Sequence, residues 1–226
     1  MIRREFSWRI FSLETYMPDL QFLLELSASR HSHLCPRQVI GVRLGLAGAN
    51  TLGIDVPQSK KRLITIVETD GCFADGVEVA TGCTVGHRTL RVEDYGKIAA
   101  TFIDTRSERA VRVAPHLDVR QKAHHFAPHQ KKRYFAQLDG YQVMPIGELV
   151  AIQEVQLTTS ISEIVSRAGV RVDCGFCGEE IINQREIMRN GMPLCKSCAG
   201  SSYYQVMPAQ EPAFIWSAVN QEEAVL

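Results

Sequence analysis

The sequence predicts an α+β protein: one core domain with a mixed β-sheet flanked by helices, then a small metal-held module. Two observations carry this. Stretches of strand character alternate with helical stretches of unequal length, which suits a mixed sheet better than a regular α/β repeat. Two Cys-x-x-Cys pairs stand together near the C-terminus. At 226 residues the chain is long enough for one substantial core and a small extra module. The expected boundary divides a core domain, 1–165, from a finger domain with C-terminal tail, 166–226.

Hydrophobic residues make up 45% and charged residues 22%, an ordinary globular balance. The formal net charge of +0 gives no global field toward nucleic acid or membrane. No apolar run approaches the roughly 20 residues that span a bilayer. Met1 to Ile10 carries charges and Trp8 but no apolar core of signal-peptide length, so the expected location is the cytoplasm. In a reducing compartment the paired cysteines read as metal ligands before disulfides.

Residues 1–17 show no period and read as an arm that packs on the domain or on a second copy of the chain. Pro18-Asp19 opens a helix with Leu20, Leu23, Leu24 and Ser27 at helical spacing, ending before His31. Pro36 suits the first turn of a second helix, where its missing N–H costs nothing. That helix carries Val39, Ile40, Val42, Leu44 and Leu46, and also Gly41, Gly45 and Gly48. Each glycine weakens a helix by roughly 1 kcal/mol relative to alanine. Three on one face predict a smooth ridge for close backbone packing, the alternative being a helix that frays past Gly45. Residues 62–69 read as a β-branched strand, Asp70-Gly71 as a turn, Phe73 to Thr81 as a short helix and Gly82 to Gly86 as a tight loop. Strands follow near 98–104 and 110–114, with Ser107-Glu108 as their hairpin turn. Residues 116–140 read as helix broken at Pro128, and 148–157 as a strand. A polar connection, 158–172, leads into the second module.

In that module Cys174-Gly-Phe-Cys177 and Cys195-Lys-Ser-Cys198 are separated by 17 residues. This is the spacing of a structural zinc site. Two residues between cysteines make a loop tight enough for both sulfurs to face one tetrahedral ion at about 2.3 Å. Gly175 and Gly178 relieve the turn, and Gly191 to Leu194 approaches the second pair as a hairpin would. Four thiolates leave no open position for a substrate, so the role of Cys174, Cys177, Cys195 and Cys198 is structural or adhesive. So small a module draws its folding energy from the metal.

Three cysteines remain. Cys35 follows His31 and His33 and precedes the helix at Pro36; Cys72 precedes the helix at Phe73; Cys83 lies in the Gly-flanked loop. Helix N-termini favour thiolate over thiol, which applies to Cys35 and Cys72. A core site of His31, His33, Cys35, Cys72 and Cys83 would suit a second zinc or another transition metal. The plainer reading makes the cysteines small buried hydrophobes. Asp70, Asp75 and Glu78 are candidate acid/base or supporting groups, or solvated carboxylates, and His87 could reach the same region. From Pro115 to Leu138 the one acid is Asp118, against Arg120, Lys122, Lys131, Lys132 and Arg133, with four histidines and Phe126, Tyr134 and Phe135 among them. This patch could hold phosphate, nucleic acid or an anionic cofactor. A solvated helix face is the reading favoured over it.

The ordered motifs His31-Ser-His33-Leu-Cys35-Pro36, Gly41-Val-Arg43, Glu68-Thr-Asp70-Gly-Cys72, Thr81-Gly-Cys83-Thr-Val-Gly86-His87 and Asp94-Tyr-Gly-Lys97, followed by the four-cysteine finger, resemble the FmdE family, named for formylmethanofuran dehydrogenase, over most of 20–200. Ser32, Arg37 and His87 stand where family members commonly carry glycine, glycine and lysine. The resemblance implies a thioredoxin-like core, a treble-clef or ribbon-type finger, a homodimer, and an association with a molybdenum or tungsten enzyme. The chain has no room for a pterin-sized domain and no ferredoxin cysteine run, so the expected role is accessory or regulatory.

Three functional readings follow. The first is a metal-binding accessory protein. The second is an enzyme using Cys35 or Cys72 as nucleophile, with Asp70 as an acid/base candidate, or an open metal position to activate water. The third is a regulator that binds nucleic acid or protein through finger and basic segment.

Overall fold

The buried face of Leu20–Ala28 (α1) sets the first long-range contact: Leu23, Leu24 and Ser27 turn inward against the helix that follows the histidine loop. A computed structural model describes residues 19–165 and 167–207; the arm expected at 1–17 lies outside them. The chain divides into two compact units, Met1–Val165 and Ser166–Leu226.

In the first unit Pro36–Thr51 (α2) is buried along most of its length and serves as the central helix. It does not fray at its glycines. A Cβ on Gly41 would lie 2.3 Å from the Phe73 carbonyl, one on Gly45 2.9 Å from Ala80, and one on Gly48 2.2 Å from the Phe102 ring. The glycine ridge therefore accepts the backbone of Cys72–Thr81 (α3) and one ring of the sheet.

Leu63–Val67 (β1), α3 and Leu90–Val92 (β2) form a parallel β-α-β arrangement, with Thr65 opposite Leu90. Ala100–Asp104 (β3) runs antiparallel to β1, and Ala110–Pro115 (β4) returns antiparallel to β3. The chain then forms Val119–Phe126 (α4), Arg133–Val143 (α5) and the single turn Ile146–Leu149 (α6). Val150–Val155 (β5) completes a mixed sheet in the order β2-β1-β3-β4-β5. The strands alternate as their pleat requires. Leu63, Val67, Phe102, Val111 and Val113 pack under the helices, whereas Ile64, Ile103 and Ala110 face the other side.

Two elements are invisible in the sequence pattern. β2 is three residues long, too short for a period to register, and forms because α3 returns the chain beside β1. The connection expected at 158–172 contains Ile161–Val165 (α7), whose Ile161, Ile164 and Val165 cover the second sheet face. Its few apolar residues suffice because they meet only a small patch.

The second unit consists of two antiparallel ribbons. Arg171–Asp173 (β6) pairs with Glu180–Ile182 (β7), and Ile187–Arg189 (β8) with Met192–Leu194 (β9). Asn190 and Gly191 take the turn between β8 and β9 with φ of 51° and 77°. Positive φ at both central residues is what a two-residue hairpin demands.

Candidate functional site

Cys35 caps α2 and Cys72 opens α3, so the close approach of these helices brings both thiols to one place. The contact is backbone on backbone. A Cβ on Gly76 would lie 2.4 Å from the Gln38 carbonyl, so only glycine fits at Gly76. Gln38, fully buried, ties the loop down. Its Oε1 accepts from the Cys35 amide at 2.9 Å, and its Nε2 donates to the Ser27 carbonyl at 2.8 Å. The histidine loop is also tethered to α3: Arg30 pairs with Glu78 and His31 Nε2 meets Asp75 Oδ2, both at 2.7 Å.

Cys35, Cys72 and His33 line a cavity of about 570 Å³. Its other walls come from α4 and α5, through Arg120, Arg133, Tyr134, Gln137 and Tyr141, and from Arg37 on α2. Arg43 holds α5 in position. Its guanidinium donates to the carbonyls of Tyr141, Gln142 and Met144 at 2.7, 2.8 and 2.7 Å, satisfying orphan acceptors at the helix end. Burial pushes the Tyr141 hydroxyl pKa up, against the opposing pull of Arg120 and Arg133.

The thiolate expected at Cys72 is corrected by this environment. Burial pushes the Cys72 thiol up, the adjacent Cys35 adds to the rise, and the backbone at the helix start opposes it too weakly to win. Two thiols side by side disfavour a second negative charge more than one helix terminus favours it.

In the second unit the sulfurs of Cys174, Cys177, Cys195 and Cys198 all lie within 4.8 Å of one another. Four sulfurs around one zinc at about 2.3 Å would be about 3.8 Å apart, so the cluster is nearly closed. The Cys195 amide donates to Cys174 Sγ at 3.3 Å and the Cys198 amide to Cys195 Sγ at 3.4 Å. The Cys177 and Cys195 backbone amides lower the Cys174 pKa to about 6. This donor set fits a soft or borderline cation. It is the one such group of three or more His, Cys, Asp or Glu ligands among the described residues.

Residues 30–150, more than half of the chain, match the family described as FmdE, Molybdenum formylmethanofuran dehydrogenase operon. The chain belongs to the FmdE family. The FmdE segment contains every residue of the cavity and stops short of the four-cysteine unit. A protein of Archaeoglobus fulgidus named probable S-adenosyl-L-methionine-binding protein is 28% identical over 197 residues, 78% of this chain and 52% of that protein. The chain thus spans about half the length of that curated relative. The crystal structure of an FmdE-like protein of tungsten formylmethanofuran dehydrogenase, from Syntrophus aciditrophicus, superposes with a TM-score of 0.54 at 21% identity, covering 85% of this chain and 98% of that one. That likeness concerns the fold.

Of the five core residues expected to share a site, the cavity unites His33, Cys35 and Cys72. His31 is turned to Asp75. Cys83 is 1% exposed beside β1, donating to the Leu63 carbonyl and accepting from Thr65 Oγ1, both at 3.4 Å; burial pushes its thiol up. Asp70 is exposed on the turn before α3, His87 caps its own loop through Thr84, and Glu68 forms a bidentate pair with Arg112 at 2.5 and 2.8 Å. Asp75 and Glu78 anchor the histidine loop. Gln38 escapes a search for reactive side chains, although glutamine three residues after a cap is a recognisable capping signal. Arg120 and Arg133 read in sequence as part of a basic patch. Nothing local to them indicates that they face the thiols.

Proposed function

We propose that this FmdE-family chain is a metal-binding accessory protein, with a structural zinc in the four-cysteine unit and a ligand-binding cavity built on Cys35, Cys72 and His33. The observation that carries this is the meeting of two thiols and an imidazole, from separate segments, at one cavity of about 570 Å³. Two sulfurs and a nitrogen suit zinc or another borderline metal and leave a coordination position for an incoming group. That volume also lies within the range of small-molecule sites. A small-molecule ligand agrees with the name carried by the Archaeoglobus relative.

The parallel β1–β2 pair followed by the antiparallel β3–β4 hairpin supports a thioredoxin-like description of the core, and the paired ribbons support a treble-clef or ribbon-type finger. A homodimer and a molybdenum- or tungsten-enzyme partner belong to the same proposal. The enzyme reading has less support: the Cys72 thiol is pushed up and Asp70 does not line the cavity.

Metal content of the full chain tests the proposal. Plasma mass spectrometry should find two equivalents per chain, one lost in Cys72→Ser and the other in Cys174→Ser. One equivalent, lost only in Cys174→Ser, would confine metal to the finger and overturn the core site.

A further inference from the structure

Three cations face the cavity that holds the thiols. Arg37 comes from the first turn of α2, Arg120 from α4 and Arg133 from the first residue of α5. Among the described residues none of the three forms an ion pair, although Arg30, Arg62, Arg109, Arg112 and Arg171 all do. No aspartate or glutamate is among the residues that line the cavity. Asp75, close enough to Cys72 to raise its pKa, is already held by His31. Three helices, α2, α3 and α5, also begin at this wall, and their positive ends add to the same field. Unpaired guanidiniums around a concavity concentrate an anion there, and each offers a planar fork suited to carboxylate or phosphate oxygens. The opposite wall is different in kind. Pro36, Ile40 and Ile98 present apolar surface.

We infer that the cavity binds a small amphipathic anion, with a phosphate or carboxylate group held by Arg37, Arg120 and Arg133 and its apolar body against Ile40 and Ile98. This rests on the reading of the cavity as a ligand site and names the class of ligand. The thiols lie beside the bound molecule, so its own donor atoms could complete the coordination of an ion on Cys35 and Cys72. A cavity of about 570 Å³ excludes a nucleic-acid duplex. The basic character of the α4–α5 region thus serves a small ligand.

Equilibrium dialysis of the full chain, at fixed ionic strength, against radiolabelled inorganic pyrophosphate and against labelled citrate tests this. One saturable site per chain is expected with at least one of the probes, and the probe held more tightly identifies phosphate or carboxylate as the preferred group. Arg120→Gln with Arg133→Gln should weaken that site at least tenfold. Lys131→Gln with Lys132→Gln removes the same charge from the same segment without touching the cavity, and should change it less than twofold. Equal weakening by both pairs, or no saturable binding of either probe, would overturn the inference. If the double arginine variant does not fold, the single variants Arg37→Gln and Arg133→Gln replace it, each expected to weaken binding at least threefold. Cys72→Ser separates the two proposals: it should remove the core metal but keep the anion site, so loss of one reading leaves the other standing.

Discussion

Arg43 shows how far one side chain reaches. It spans from the central helix to three carbonyls at the end of α5, and α5 carries Arg133, Tyr134 and Gln137 to the cavity. Charged hydrogen bonds of this kind contribute roughly 1.5–3 kcal/mol each when one partner is removed. Arg43→Ala should therefore lower stability by about 3 kcal/mol or more, read as a shift of the urea midpoint, while Arg43→Lys should recover only part of it. Cys83→Ala, by contrast, should leave metal content unchanged, because its sulfur is enclosed beside β1. Residue identity alone does not separate Cys83 from Cys72. What separates them is the side of the sheet–helix junction each reaches, and that depends on contacts between distant segments.

At the scale of elements the α2–α3 pair and the β3–β4 hairpin make different demands. The helices meet through glycine, so Gly76→Ala forces backbone against backbone and should cost about 1–3 kcal/mol or prevent folding. Thermal unfolding would show it. The hairpin is held by Asp104, 3% exposed, which accepts from the Arg106 amide at 3.0 Å and the Ser107 hydroxyl at 2.9 Å, and pairs with Arg62 at 3.2 Å. Burial pushes its carboxyl up, but these donors together hold it below the ordinary carboxylate range. Its contribution is therefore present at neutral pH, above the unfolded pKa, and is lost as pH falls through the folded one. Urea unfolding of Asp104→Asn should show a smaller loss of stability between pH 6 and pH 3 than the parent. The glycine ridge and the turn at Ser107-Glu108 are legible in sequence because spacing or turn chemistry states them locally. The short β2 and α7 are not, since tertiary contacts alone stabilise segments of three and five residues.

At the scale of the whole molecule, two units solve the problem of stability differently. The core buries a continuous apolar cluster beneath the sheet, whereas the described part of the second unit has few buried side chains beyond Cys174, Ile181 and Ala199. Chelation of the full chain should thus open residues after about 170 to protease and leave the core's unfolding transition in place. Simultaneous loss of both would refute separate stabilisation. The four-cysteine unit is readable because its ligands declare themselves by spacing. The cavity is only half readable: Cys35 and His33 are neighbours in sequence, but Arg120 and Arg133 reach them only through the packing of α4 and α5 on the central helix.

The contact between Gly41 and Gly76 has one more consequence. It lies within the first two turns of both helices, next to the two thiols, and it joins main chain to main chain. The gap between Cys35 and Cys72 is therefore a fixed gauge, set by peptide thickness and insensitive to side-chain rearrangement. A site of this kind sorts incoming ions by radius, and the selectivity of the thiols is written in residues that never touch what they select.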